Sequence, residues 1–228
     1  NLTLVGMGTE RVEEELSRFF PIARTIRVDL DTMKSRSAII DTWRAIASGE
    51  VDIILGTQMI AKGFHLENVT LVGVVSADFS LFLPDFRSAE RTFSLLTQVA
   101  GRAGRSAKGG KVIVQTYVPH HYGIVKATTQ DYEAFAEKEL HIRKVLRFPP
   151  FYRLLSVTFS GKDQSSTIKV AKRFGGVLQR AITGDSGDGL SLLGPAPAPI
   201  SRIRGNFRWR LLIRGKDHKE MQSVLQKG

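Results

Sequence analysis

The 228-residue chain carries 33 Lys and Arg against 22 Asp and Glu, a net charge of +11 at neutral pH, which favours a polyanionic partner such as nucleic acid. Its length suffices for one full core and a second small one. No apolar run reaches spanning length and the first residues lack a signal-peptide pattern, which argues against membrane and secretion, and the absence of cysteine excludes disulfides and thiolate zinc sites from this stretch.

In chain order, Asn1–Val5 reads as a strand entering a turn at Gly6-Met7-Gly8. The turn is not a dinucleotide fingerprint, because Arg11 stands where a third glycine belongs. Thr9 is expected to cap a helix with Glu10, Glu13 and Glu14 in its first turns, an apolar stripe of Val12, Leu16 and Phe19, and a stop at Pro21. A strand over Thr25–Val28 precedes a helix from Ser37, with Ile39, Ile40, Trp43 and Ile46 inward and Gly49 at its end. Strands follow at Val51–Leu55 and Val69–Val75, then a long helix, then a β-rich run over Lys111–Tyr117. Alternating strands and helices predict an α/β lobe over residues 1–128, a mainly parallel sheet covered on both faces with binding loops at the strand carboxyl ends.

Residues 129–150 read as a helical linker. The helical pattern runs from His120 to Arg147 on Ile124, Tyr132, Phe135 and Leu140, and Pro149-Pro150 breaks it. Residues 151–228 read as a small α+β domain with an antiparallel sheet. Its elements are a strand over Phe151–Phe159, a helix over Ser165–Ile182, a loop over Thr183–Gly189, an extended Pro/Ala connection over Gly194–Pro199, a β-hairpin over Ser201–Arg214 turning at Gly205-Asn206, and a terminal helix with His218, Met221, Gln222 and Leu225.

The stretch Gln98-Val99-Ala100-Gly101-Arg102-Ala103-Gly104-Arg105 concentrates the chemistry. On a helix, Gln98, Arg102 and Arg105 fall at i, i+4 and i+7 and share a face, while Phe93, Leu96 and Val99 pack elsewhere. Guanidinium forks fit phosphate oxygens, and Gly101 and Gly104 would admit another backbone at the cost of helix propensity. A solvated arginine face is the bland alternative. Upstream, Ile53-Ile54-Leu55-Gly56-Thr57-Gln58-Met59-Ile60-Ala61-Lys62-Gly63 reads as a buried strand ending in a polar elbow. No GxxxxGK[ST] loop and no DExH-like metal motif occurs, so this chain lacks the phosphate cradle and magnesium ligands that ATP hydrolysis requires.

These two blocks resemble motifs V and VI of superfamily 2 helicases. The words GTQMIAKG, VSAD, LPDFRSAERTFSLLTQVAGRAGR, FPPF and GPAPAPI are similar to the primosomal protein N′ (PriA) family of bacterial replication-restart DNA helicases, nearly end to end. The resemblance implies a RecA-like second lobe and a C-terminal domain, belonging to a cytoplasmic ATP-dependent enzyme that moves 3′ to 5′. ATP and Mg²⁺ would be bound mainly by a first lobe N-terminal to Asn1, where a cysteine-rich zinc module is also expected. It further implies Arg105 as arginine finger, Arg102 as second phosphate contact and Gln98 as positioning group. Lys62, Gly63 and His65 would lie at the nucleotide, the histidine standing where many superfamily members have an aspartate, and Gly56, Thr57 and Gln58 would couple to DNA.

The second basic feature is Arg202, Arg204, Arg208, Trp209, Arg210, Arg214 and Lys216, with no carboxylate between Gly189 and Lys216. On strands Arg208 and Arg210 project together and Trp209 opposes them, a combination suited to forked or single-stranded DNA. An edge strand guarded by charge, with Trp209 in the core, is the structural alternative. By resemblance His218, Lys219 and Gln222 border the dock for the tail of the single-strand-binding protein, and other primosome proteins are further partners. No histidine spacing suggests a metal site. A stand-alone nucleic-acid or protein-docking module and another superfamily 2 translocase or RNA helicase are the competing functions.

Overall fold

In a computed structural model of the chain, residues 8–29, 32–33, 35–57, 60, 69–103, 110–184 and 189–226 are described. The strand expected at Asn1–Val5 lies outside them. The chain divides into two compact units, one running through Phe82 and resuming over Arg87–Phe135, the other comprising Leu83–Phe86 and the residues from Ala136 onward.

The first unit opens with α1 (Thr9–Phe19), whose N-cap is Gly8 rather than Thr9. The Thr9 hydroxyl is engaged elsewhere, donating to Asp29 Oδ2 at 3.1 Å. Val12 and Leu16 are half-buried as expected, but Phe19, the last residue of the helix, is 74% exposed. β1 (Thr25–Val28) and β2 (Ile53–Gly56) pair in parallel, Thr25 opposite Ile53 through Val28 opposite Gly56. Their amino ends are clamped by Arg24, whose guanidinium grips both Asp52 oxygens at 2.9 Å. Those bonds hold the Asp52 carboxyl well below the usual carboxylate range. Between the strands, α2 (Arg36–Ala47) is capped by Ser35, which accepts from Ala38 N at 3.1 Å, and Gly49 closes it at φ +75°. Trp43 and Ile46 turn partly inward as expected. Ile39 and Ile40, nearer the amino end of α2, are more open, 38% and 48% exposed.

β3 (Leu71–Val74) and β4 (Lys111–Val114) form a second parallel pair. Burial alternates along both, with Val74 and Val114 packed against the core and Leu71 and Ile113 more than half exposed. β3 and β4 are thus covered on one face, whereas β1 and β2 are half-buried or buried at every position, as double coverage would have it. A short α3 (Asp78–Leu81) buries Asp78 and Leu81 and turns Phe79 and Phe82 outward, as i, i+3 spacing requires. The Asp78 carboxylate accepts the Thr116 hydroxyl at 2.8 Å and the Tyr117 N–H at 3.1 Å, tying β3's exit to β4's. α4 (Ser88–Ala103) supplies the core with Ala89, Phe93 and Leu96. The helical pattern after His120 is two helices, α5 (Tyr122–Thr128) and α6 (Tyr132–Val145). Gln130 at φ +53° breaks it, and Asp131 caps the second helix through Ala134 N at 3.0 Å. His121, expected as plain loop, caps α5 through Nδ1 and the Gly123 N–H. Ile124 and Phe135 are buried anchors, Phe135 stacking on Phe93 at 4.1 Å. Tyr132 and Leu140, expected as anchors beside Phe135 on the same helix, are instead 67% and 42% exposed.

In the second unit β5 (Arg153–Gly161), β6 (Ser191–Ile203) and β7 (Asn206–Gly215) form an antiparallel sheet with β7 central. The Pro/Ala segment expected as a connection lies inside β6, tolerated because β6 is an edge strand and Pro195 and Pro199 fall where the register shifts, between Leu193 and Ala196 and between Pro197 and Arg202. The hairpin turn is Arg204-Gly205, one residue earlier than expected, with φ of +49° and +81°, as a type I′ turn demands. α7 (Gln164–Gly184) and α8 (His218–Gln226) contribute Leu178, Met221 and Val224 to a core with Leu211 and Ile213. Asp163 caps α7, accepting from Ser166 N and the Ser165 and Ser166 hydroxyls, which lower its carboxyl to about 2.

Burial raises the Asp78 pKa, but the bonds from Thr116 and Tyr117 outweigh it and the net shift is downward. A lowered folded pKa means that this stability is complete above the unfolded value of about 3.9 and is lost as pH falls through the folded one. Asp78→Ala, leaving a hydroxyl and an amide unpaired, is expected to cost about 1–3 kcal/mol by urea denaturation. Asp78→Asn should flatten the acid limb of the stability curve, whereas an unaltered limb would remove Asp78 from it.

Candidate functional site

The elbow after β2 is shaped by a steric limit at Gly56. A Cβ there would collide with the Val28 carbonyl oxygen and with the Ile60 side chain, the latter at 2.6 Å, so only glycine lets β1 and the chain after β2 close together. Thr57 follows, exposed, its carbonyl accepting from Ile60 N at 3.1 Å. Gln58, Lys62, Gly63 and His65 lie outside the described residues. Next to Gly56 in the register, the carboxyl end of β1 is fixed by Asp29, 8% exposed. It receives the Thr32 N–H at 2.9 Å, returns its own N–H to the Thr32 hydroxyl at 3.0 Å, and pairs with Arg27 at 3.0 Å. Sequence reasoning does not single out this pair, although an Asp directly after a strand is a recognisable Asx-turn signal.

The QVAGRAGR block opens on α4 as expected. Phe93, Leu96 and Val99 are 5%, 3% and 7% exposed, and Gln98, off that stripe, faces solvent. Arg102 belongs to the last turn of α4, one helical turn beyond Gln98; its side chain, Gly104 and Arg105 lie outside the described residues. Gly101 is exposed, and among the described residues a Cβ on it would meet nothing within 4 Å, so their packing does not call for a glycine there. The preceding helix turns are locked by Thr92, fully buried, which bonds Ser88 O and the Ser80 hydroxyl, both at 2.9 Å.

The four hairpin arginines separate. Arg208 and Arg210 lie on the sheet face opposite the helices, paired across the strands with Ser160 and Thr158. Arg202 falls opposite Phe207, its guanidinium 4.9 Å from the ring centroid, and Arg204 occupies the turn. The edge-strand alternative fails for Arg208 and Arg210 because β7 is central, but Arg202 does lie on an edge strand, β6; Trp209 turns to the helix side, half-buried opposite Phe159. His218, Lys219 and Gln222 are exposed on the first turns of α8, His218 and Gln222 sharing a face. Nearby, Tyr152 lies 5.5 Å from Lys216 Nζ and 5.9 Å from the Arg147 guanidinium, a cluster the sequence did not reveal because its members are distant in the chain. Among the described residues, no group of three or more His, Asp or Glu could hold a metal ion, and no helix is long and apolar enough to cross a membrane.

Comparison with known proteins places this architecture in a class. Residues 8–107 match the helicase conserved C-terminal domain and residues 144–228 the primosomal protein N C-terminal domain, so the α/β unit is a RecA-like helicase lobe followed by a small α+β domain. The chain is 44% identical to the replication restart protein PriA of Bacillus subtilis over 227 residues, which is all of this chain and 28% of that protein. It is 41% identical to the PriA of Treponema pallidum over 219 residues, 96% of this chain and 33% of the relative. With the PriA of Haemophilus influenzae the identity is 37% over 227 residues, 99% and 30% of the two chains. The chain belongs to the PriA family of replication restart proteins, and it spans about three-tenths of the length of these relatives.

Two glycines should respond oppositely to alanine. Gly56→Ala is expected to destabilise by about 1–3 kcal/mol, as overpacking does. Gly101→Ala should stabilise by roughly 0.5–1 kcal/mol by removing a helix-interior glycine. Thermal denaturation of both variants checks the pair.

Proposed function

We propose that the chain is the second motor lobe and C-terminal domain of an ATP-driven 3′-to-5′ DNA helicase that recognises branched or stalled forks and restarts replication by assembling a primosome in the bacterial cytoplasm. Residues 1–128 serve as the lobe, 129–150 as its helical link and 151–228 as the DNA- and partner-binding domain. The observation that carries the reading is the succession of a helicase C-terminal domain and a primosomal C-terminal domain in one chain. The packing of α4, with its apolar stripe inward and Gln98 outward, supports it.

In this reading Arg105 is the arginine finger toward the γ-phosphate, Arg102 a second phosphate contact and Gln98 a positioning group. Lys62, Gly63 and His65 line the nucleotide. Gly56, Thr57 and Gln58 couple the DNA backbone to it, an assignment supported by the exposed Thr57 and the constrained Gly56. Arg202, Arg204, Arg208 and Arg210 contact DNA, and His218, Lys219 and Gln222 receive the acidic tail of the single-strand-binding protein. The phosphate cradle and Mg²⁺ ligands come from the remainder of the full-length protein, as does a zinc module; this chain alone has no useful ATPase rate.

The test uses the full-length protein. Arg105→Ala is expected to lower DNA-stimulated ATP turnover by about 10³- to 10⁵-fold, the effect of losing a finger, with DNA affinity nearly intact. Wild-type turnover in that variant would sink the motor assignment. Gly101→Ala, stabilising in this chain, should slow turnover in the full-length protein if another backbone must approach α4.

A further inference from the structure

Leu83–Phe86 belongs to the second unit, while Phe82 before it and Arg87 after it belong to the first. Within this strap Leu83 and Pro84 are exposed and Phe86 is half-buried, so the ring is the part that is inserted. Its slot is built by the end of α6. Arg147 takes φ +58°; its N–H donates to Lys144 O at 3.2 Å and the Phe148 N–H donates to Arg143 O at 2.7 Å. These two bonds form the chain reversal that usually takes glycine at the left-handed position, and they fold Phe148 back over the turn that carries Arg143. The Leu146 carbonyl accepts from Arg214 Nη1 at 2.7 Å, and Arg210 Nη2 donates to Pro84 O at 3.4 Å, so β7 braces both slot and strap.

Phe86 stacks on Phe148 at 5.5 Å and 19°, and the Arg143 guanidinium lies 5.1 Å from its centroid. Glu139 Oε1 takes two donors of that guanidinium, at 2.7 and 2.8 Å, with the two side chains 7% and 11% exposed. A buried ion pair contributes little net stability, because desolvation offsets its attraction, and an aliphatic lining would hold a phenyl ring as firmly. What the pair adds is direction: it fixes a planar cation against a ring face, an attraction that an aliphatic side chain in the strap would forgo.

The consequence falls on α4. The Arg87 carbonyl already accepts the Arg91 N–H at 2.9 Å, so the helix begins where the strap ends. Phe93 and Leu96 hold the middle of α4 in the first unit's core. A rod held only at its middle can still tilt. α4 has 16 residues, a length of about 24 Å, and a small tilt displaces the end that carries Gln98 and Arg102.

We propose that Phe86, seated against Phe148 and Arg143, is a positioning residue that fixes the amino end of α4 and thereby the place of its phosphate-facing end. The inference rests on the motor reading of α4 and adds to it a residue that acts through the helix.

The test measures steady-state ATP turnover of the full-length protein with a saturating forked DNA. Phe86→Leu is expected to lower kcat about 10- to 100-fold, the effect of a misplacement on the order of 1 Å, with the KM for ATP unchanged, and Phe86→Tyr to restore most of the rate. Glu139→Leu with Arg143→Met, which exchanges the ion pair for apolar side chains, should lower kcat in the same way at a level melting temperature. Adding Phe86→Leu to that pair should lower kcat no further, because both changes undo one slot. The proposal is overturned if Phe86→Leu turns over as the wild type does, if Phe86→Tyr is as slow as Phe86→Leu, if KM rises in place of a fall in kcat, or if the losses add. Should Phe86→Leu not fold, wild-type kcat in the apolar pair overturns it. Arg105→Ala separates this inference from the motor reading. If that variant is inactive and Phe86→Leu is normal, only the positioning role falls; if that variant keeps its turnover, both fall.

Discussion

The first unit depends on a buried carboxylate. Asp78 sits where β3 has ended and reaches the backbone and hydroxyl just beyond β4, so one side chain fixes two strand exits and starts the turn that leads to α4. Burial alone would favour the neutral acid; the donors at 2.8 and 3.1 Å reverse that preference and leave a charge that can be withdrawn only by breaking the corner. Phe93, Leu96 and Leu81 then settle α4 against β3 and β4, and the helix acquires one orientation. Gln98 points outward as a consequence of that packing and not of any contact of its own.

The second unit solves a different problem. Its sheet buries one face with α7 and α8 and leaves the other to charge. Period-two alternation on β7 separates Leu211 and Ile213, fully buried, from Arg210 and Arg214. A strand that supplies the core can therefore also carry a basic surface, provided it is central and its partners bring no acids. The prolines of β6 belong to the same design, because they interrupt pairing at the edge strand without disturbing β7's other ladder with β5.

Much of this was legible in the sequence. β1 was read to the residue, and the apolar stripe of α4, the Gly49 stop and the opposed faces of Arg208 and Trp209 follow from period and turn chemistry alone. What escaped did so for identifiable reasons. The break at Gln130 is a positive-φ non-glycine residue, which no periodicity announces. Ser191–Ile203 reads as a connection because Pro and Ala lack strand propensity, yet pairing with β7 overrides propensity. Thr9 looks like a cap, but a competing tertiary acceptor, Asp29, takes its hydroxyl. Of the candidate site, Gly56, Thr57 and Gln98 could be placed from residue chemistry; the neighbours of Arg214 and Tyr152 could not, since they are assembled from separate segments.

Leu83–Phe86 belongs with the second unit although the chain on either side belongs to the first. Phe86 stacks on Phe148 at 5.5 Å beneath the Arg143 guanidinium, whose own partner, Glu139, is 6% exposed. The polypeptide thus passes between the units more than once, and no single cleavage would yield two self-sufficient pieces. A cut within α6 would leave Phe86 on one fragment and its stacking partner Phe148 on the other.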